Sequence, residues 1–168
     1  MKKILILGLA IIGILTACKK DSQEDNYDQR AQYVIDSTKI AAYLTANNIT
    51  NVIKDTTGVV IEIKQQGTGN DTIRWTSYPT VGYAGYLMNG TQLGAKFDGS
   101  DSTNFDLQLQ MNRLIPGWYI GLRYVRKGGT ARLYIPSYLA YGNQSQPKIP
   151  ANSVLIFDIK LFDFSVGN

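Results

Sequence analysis

Past its first residues the chain changes hydrophobic rhythm once. From Tyr27 to Asn47, Tyr33, Ile40, Tyr43 and Leu44 recur with Val34, Ile35, Ala41 and Ala42 at three- and four-residue spacing, which predicts a helix. Asp36-Ser37-Thr38-Lys39 is polar enough for its outer face, and Asn47-Asn48 is a stop, since Asn tolerates a left-handed cap. This helix either packs on the domain that follows or serves as a dimerisation element.

The rest reads as strands. Val59–Lys64 is β-branched and partly alternating, and Gly67–Asp71 ends it as a turn. Tyr78–Leu87 is a second strand, and Asn89-Gly90 is a hairpin signal. Phe97-Asp98 ends a strand before a polar loop, and Phe105-Asp106-Leu107-Gln108-Leu109 alternates. Thr130–Pro136 and Val154–Leu161 complete the set. One short helix interrupts them at Pro116-Gly117-Trp118-Tyr119-Ile120-Gly121-Leu122. Pro116 suits a first turn, where its missing N–H is not needed. Gly117 and Gly121 leave one face nearly bare, so neighbouring chain can come close. So short a helix needs a sheet to hold it. The expected fold is α+β: an antiparallel curved sheet wrapped round one short helix, with Trp118 pointing between them and an extra helix at the N-terminal side.

The first residues have a different layout. Lys2 and Lys3 precede an apolar run from Ile4 to Leu15, and Leu15-Thr16-Ala17-Cys18 closes it. The run is short for a membrane span and reads as a secretory signal. Its end resembles a bacterial lipobox, which implies removal of residues 1–17 and lipidation of Cys18, the one cysteine of the chain. The expected division is a signal at 1–17, a polar tether at 18–26, a helical extension at 27–50 and a β domain at 51–168. Through the anchor the protein is expected at a membrane, as an outer-membrane lipoprotein facing the periplasm or the surface. Without Lys2 and Lys3 the 17 basic residues fall to 15 against 13 acids, so the mature chain is nearly neutral and gives no support for nucleic-acid binding.

Candidate chemistry is sparse. The chain has no histidine, so a Ser/His/Asp or Cys/His triad is excluded, and a single cysteine suggests no metal cluster. Neither a phosphate-cradling glycine loop nor a zinc-protease motif is present. What is abundant is aromatic: Tyr83, Phe97, Phe105, Trp118, Tyr141 and Phe157 are spread over the strands and the short helix. A cluster with Tyr at its edge suggests an apolar cup open to solvent.

Six stretches in order are similar to the FKBP-type peptidyl-prolyl cis-trans isomerases. They are Tyr83–Leu87, Phe97–Ser100, Leu114–Trp118, Gly128–Pro136, Leu139–Gly142 and Ile149–Asp158. The resemblance covers about residues 58–164 and implies a five-stranded antiparallel sheet curled round a short helix. It implies Trp118 as the platform beneath a proline ring, with Tyr83, Phe97, Phe105, Leu114, Ile115 and Phe157 as walls. Asp98 and the Tyr141 hydroxyl would be polar groups at the rim, and the Ile149 N–H would hold a substrate carbonyl. It implies proline-containing polypeptides as partners, macrolide inhibitor binding, and no cofactor or metal. The chain departs from the family between Gly90 and Phe97, where Thr91–Lys96 lengthens the hairpin beside Phe97 and Asp98. Displacement of either from the pocket would favour a non-catalytic module that holds a Pro-containing partner, as a chaperone or assembly factor. A vestigial pocket in a structural envelope lipoprotein would instead require Tyr83 or Trp118 to be buried out of reach.

Overall fold

The computed structural model describes residues 27–100 and 107–166. The expectations for the signal, for Cys18 and for Phe105 fall outside these residues.

Helix α1 spans Gln29–Ala46. The Asp28 carboxylate caps it, accepting from the Arg30 and Ala31 N–H groups. At its end Asn48 takes the left-handed conformation, with φ 54°, and the Ile49 N–H returns to the Leu44 carbonyl. Of the apolar residues in that spacing, Ile40, Tyr43 and Leu44 are buried, while Tyr33, Val34, Ile35, Ala41 and Ala42 are exposed. Asp36 is not on the outer face: it is fully buried, because its carboxylate has partners there. Oδ2 accepts from the Ser137 N–H at 2.8 Å and the Ser137 hydroxyl at 2.6 Å, and Oδ1 accepts from the Gln32 amide at 2.8 Å.

The strands are β1 (Ile53–Lys54), β2 (Val60–Gln65), β3 (Ser77–Asn89), β4 (Gln92–Gly99), β5 (Leu107–Gln108), β6 (Thr130–Ile135) and β7 (Leu155–Val166). They form one antiparallel sheet in the order β1-β2-β6-β7-β3-β4, with β5 also on β3. The five long strands are the expected sheet; β1 and β5 add two residues each. Alternation along the strands gives the sheet two apolar faces. Ile61, Val81, Ala131, Leu133, Ile135, Leu155, Phe157, Ile159 and Leu161 face one core, and Val60, Tyr134 and Ile156 face another.

Helix α2 (Pro116–Leu122) fills the first face and α1 covers part of the second. The bare side of α2 lies on β6. A Cβ on Gly117 would collide with Ile135, and one on Gly121 with Leu133, so the glycines set the depth of the helix. That close seat turns Trp118, 3 % exposed, and Leu122 into the core.

The β3–β4 hairpin shows what becomes of the added residues. Its tip is Gly90-Thr91, with Gly90 at φ 58°, between the paired Asn89 and Gln92. Pairing then runs Met88 to Leu93, Tyr86 to Lys96 and Gly85 to Asp98. The β4 strand thus carries one extra residue twice, as bulges, and Phe97 is the unpaired residue of the second. A bulge re-aims its side chain. The added length is absorbed along the strand, and neither Phe97 nor Asp98 leaves the cup.

Candidate active site

A cavity of about 200 Å³ opens between α2 and the strands. It is lined by Tyr83, Phe97, Asp98, Leu109, Arg113, Leu114, Ile115, Trp118, Tyr141 and Phe157. A larger groove, of about 790 Å³, lies on the sheet between residues such as Lys64, Lys96, Lys160, Gly82 and Ala84. Tyr83 is the one aromatic residue on that groove, against five aromatic residues on the smaller cavity, so chemistry rather than size chooses the smaller cavity.

Each wall is placed by its own element. Pro116 starts α2 two residues before Trp118, and the Trp118 N–H bonds the Ile115 carbonyl at 3.0 Å. Tyr83 and Phe157 come from the adjacent strands β3 and β7. Gly85, paired with Phe157, carries no side chain where Phe157 and Phe97 meet; a Cβ there would lie 2.8 Å from both rings. Four rings pack edge to face or tilted. Centroid distances are 5.1 Å for Tyr83–Trp118, 5.2 Å for Trp118–Phe157, 5.6 Å for Phe97–Phe157 and 6.3 Å for Tyr83–Phe157. These are the separations at which aromatic quadrupoles attract.

Polar groups lie at the rim. The Tyr83 hydroxyl donates to Asp98 Oδ2 at 2.8 Å, and Asp98 Oδ1 accepts from the Gly99 N–H at 2.8 Å. Burial, then the hydrogen bond to Asp98 and the Asp98 charge, push the Tyr83 phenol well above its ordinary value of 10. Burial and the same charge raise Tyr141. Both phenols therefore stay protonated at neutral pH. Tyr141 is 38 % exposed, and its hydroxyl makes no hydrogen bond among the described residues, which leaves a free donor at the mouth.

Ile149 departs from expectation. It does not line the cavity; its side chain is buried. Its N–H already donates to the Gln146 carbonyl at 3.1 Å, across the turn at Pro147-Lys148, while the Gln146 N–H bonds the Ile149 carbonyl at 2.8 Å. Leu109 and Arg113 line the cavity without having been singled out in the sequence. Leu109 was visible as part of an alternating strand; nothing in the local pattern marked Arg113.

The raised tyrosines give a stability prediction. Tyr134, which donates to Glu62 at 2.9 Å, is pushed up chiefly by burial, like Tyr83. A phenol raised in the folded state contributes stability that is complete below its unfolded value and is lost as pH climbs toward the folded one. The urea midpoint is expected to hold to about pH 10 and fall above it. Tyr134→Phe should shallow that decline, which a denaturation series at rising pH will measure.

Comparison with known proteins gives a consistent picture. The family model described as FKBP-type peptidyl-prolyl cis-trans isomerase matches residues 70–162. The protein named FKBP-type peptidyl-prolyl cis-trans isomerase FkpA of Buchnera aphidicola (subsp. Baizongia pistaciae) is 42% identical over 106 residues, covering 63% of this chain and 40% of that protein. The crystal structure of FkpA from Escherichia coli superposes with a TM-score of 0.65 at 30% identity, covering 83% of this chain and 65% of that one. A peptidyl-prolyl cis-trans isomerase structure from Pseudomonas syringae gives 0.64 at 25% identity, covering 81% and 95%. The chain spans about half the length, or less, of the curated relatives it matches.

Proposed function

The chain belongs to the FKBP-type peptidyl-prolyl cis-trans isomerases, and from that membership we propose that its cup isomerises X–Pro bonds in exported polypeptides. The observation that carries this is the Trp118 floor, walled edge-on by Tyr83 and Phe157 beneath two protonated phenols.

The chemistry needs no acid, base or metal. Twisting an X–Pro amide breaks its resonance, at a barrier of roughly 20 kcal/mol. An apolar cup disfavours the planar, strongly dipolar amide relative to the twisted one, and rim donors hold the twisted form. Each ~1.4 kcal/mol of such differential binding speeds the reaction about tenfold. Trp118 supports the proline ring; Phe97, Leu114, Ile115 and Phe157 keep water from the reacting bond, and Tyr141 supplies a hydroxyl at the mouth. Asp98 holds the Tyr83 phenol in place.

The test is cis-to-trans isomerisation of X-Pro tetrapeptides by the purified protein. Wild type should accelerate it. Trp118→Leu should lower kcat/KM at least tenfold, and Tyr141→Phe about three- to tenfold, the worth of one hydrogen bond. A folded protein with no acceleration overturns the reading, leaving a module that holds proline segments without turning them. Macrolide inhibitors are proposed to compete for the same cup.

We also propose that the protein is an outer-membrane lipoprotein. The support is Leu15-Thr16-Ala17-Cys18 behind a basic start and an apolar run, with no other cysteine to suggest a different use. Metabolic labelling with a fatty acid should mark the wild type and leave Cys18→Ala unmarked.

A further inference from the structure

Two charged side chains line the cup, Asp98 and Arg113. They are not equivalent. Both Asp98 oxygens have internal partners, the Tyr83 hydroxyl and the Gly99 N–H. The Arg113 guanidinium has none: the residue ends the short 3-10 turn Met111–Arg113, its backbone N–H bonds the Gln110 carbonyl at 3.0 Å, and its exposed side chain makes no hydrogen bond or ion pair among the described residues. By contrast Arg132 is held by Asp158 through both prongs at 2.6 and 2.7 Å. The residues directly after Arg113, Leu114 and Ile115, are themselves wall residues of the cup. An unpaired guanidinium thus stands on the lining of a mostly apolar cavity whose other charge, Asp98, is already engaged, next in chain to the groups that would grip the proline.

A guanidinium presents a planar fork of donors that matches a carboxylate. Beside an apolar wall its attraction is screened less than in open water. Asp98, a fixed negative charge on the β4 side, repels an acid there and so gives the rim a polarity.

We propose that Arg113 makes the cup selective for X–Pro segments that carry an acidic side chain within two residues of the proline. This rests on the isomerase reading above and names its preferred substrate class. The pair forms equally with the planar and the twisted amide, so the preference lies in KM and leaves kcat nearly level.

The experiment compares tetrapeptides that differ only in Glu, Gln or Lys, placed either before the proline or after it, in a protease-free assay. Wild type should prefer Glu to Gln roughly three- to tenfold in kcat/KM at one of the two positions at low salt. The ratio should shrink toward one at about 1 M salt. It should fall to one or below in Arg113→Gln at any absolute rate, and invert toward Lys in Arg113→Glu. Equal use of Glu and Gln at both positions, or a Glu preference that survives in Arg113→Gln, overturns the proposal while isomerisation itself stands. Absence of acceleration with every peptide falls on the isomerase reading instead. Binding of the same peptides, followed by tryptophan fluorescence, then decides on Arg113 by the same ratios.

Discussion

Phe157→Ala is expected to cost about 3 kcal/mol of stability and to lower kcat/KM for X–Pro peptides more than tenfold. Phe157 is 4 % exposed and is, among the described residues, the one ring in contact with three others, Trp118, Tyr83 and Phe97. Removing a buried Phe side chain ordinarily costs about 3–5 kcal/mol, transfer and cavity together. The lower end applies because the space it vacates adjoins an open cup: water can enter, and no sealed void remains. For the same reason the loss of activity should exceed what stability alone explains. Trp118 and Tyr83 lose the ring that fixes their tilt, and water reaches the place where the planar amide must be disfavoured. Phe157→Leu keeps most of the volume and should retain more of both. Urea denaturation beside peptide kinetics tests this; a stable Phe157→Ala protein with unchanged kcat/KM would show that the cup does not depend on its aromatic walls.

Asp36→Ala should destabilise the protein by about 3–5 kcal/mol, since each buried donor left unpaired costs about 1–3 kcal/mol. Three hydrogen bonds end on this fully buried carboxylate, and Lys39 stands 3.9 Å away. Its removal strands the Ser137 N–H and hydroxyl in the interior. Asp36→Asn keeps the shape but replaces an acceptor by a donor and should recover only part of the loss. Ser137 opens the 3-10 turn Ser137–Leu139, and its carbonyl accepts from the Gly142 N–H at 2.8 Å. Tyr141 hangs between those two anchors, so Asp36→Ala should also raise KM. Thermal unfolding and peptide kinetics at a temperature where the variant is folded separate the two effects. An unchanged midpoint would mean that α1 is not fastened to the domain through this carboxylate.

The cup was legible in the sequence because each wall announces itself locally. Trp118 follows Pro-Gly at a helix start, and Tyr83 and Phe157 stand at inward positions of alternating strands. Asp36 was illegible for the opposite reason: its partner Ser137 is 101 residues away, and beside Ser, Thr and Lys an aspartate reads as a solvated face. The hairpin was misjudged in part because residue counts do not reveal bulges. The lengthened stretch Thr91–Lys96 read as a threat to Phe97, yet one of the two bulges is what aims Phe97 inward. The pairing of the Ile149 N–H was illegible for another reason, since a backbone N–H has no sequence signature and its partner is set by the turn it closes. Arg113 was missed because a single arginine in a short irregular stretch is ordinary until the fold places it on a cavity.

The glycine contacts of α2 carry a consequence for how such a cup can change over time. With Gly117 against Ile135 and Gly121 against Leu133, the floor has no slack in which to slide or tilt. Adaptation to a new client must therefore come from the loops and bulged strand around the mouth, which can be exchanged piecemeal while the platform stays fixed. The molecule is built like a tool with a permanent anvil and replaceable jaws, and grafting a different β3–β4 hairpin should retarget it without rebuilding its core.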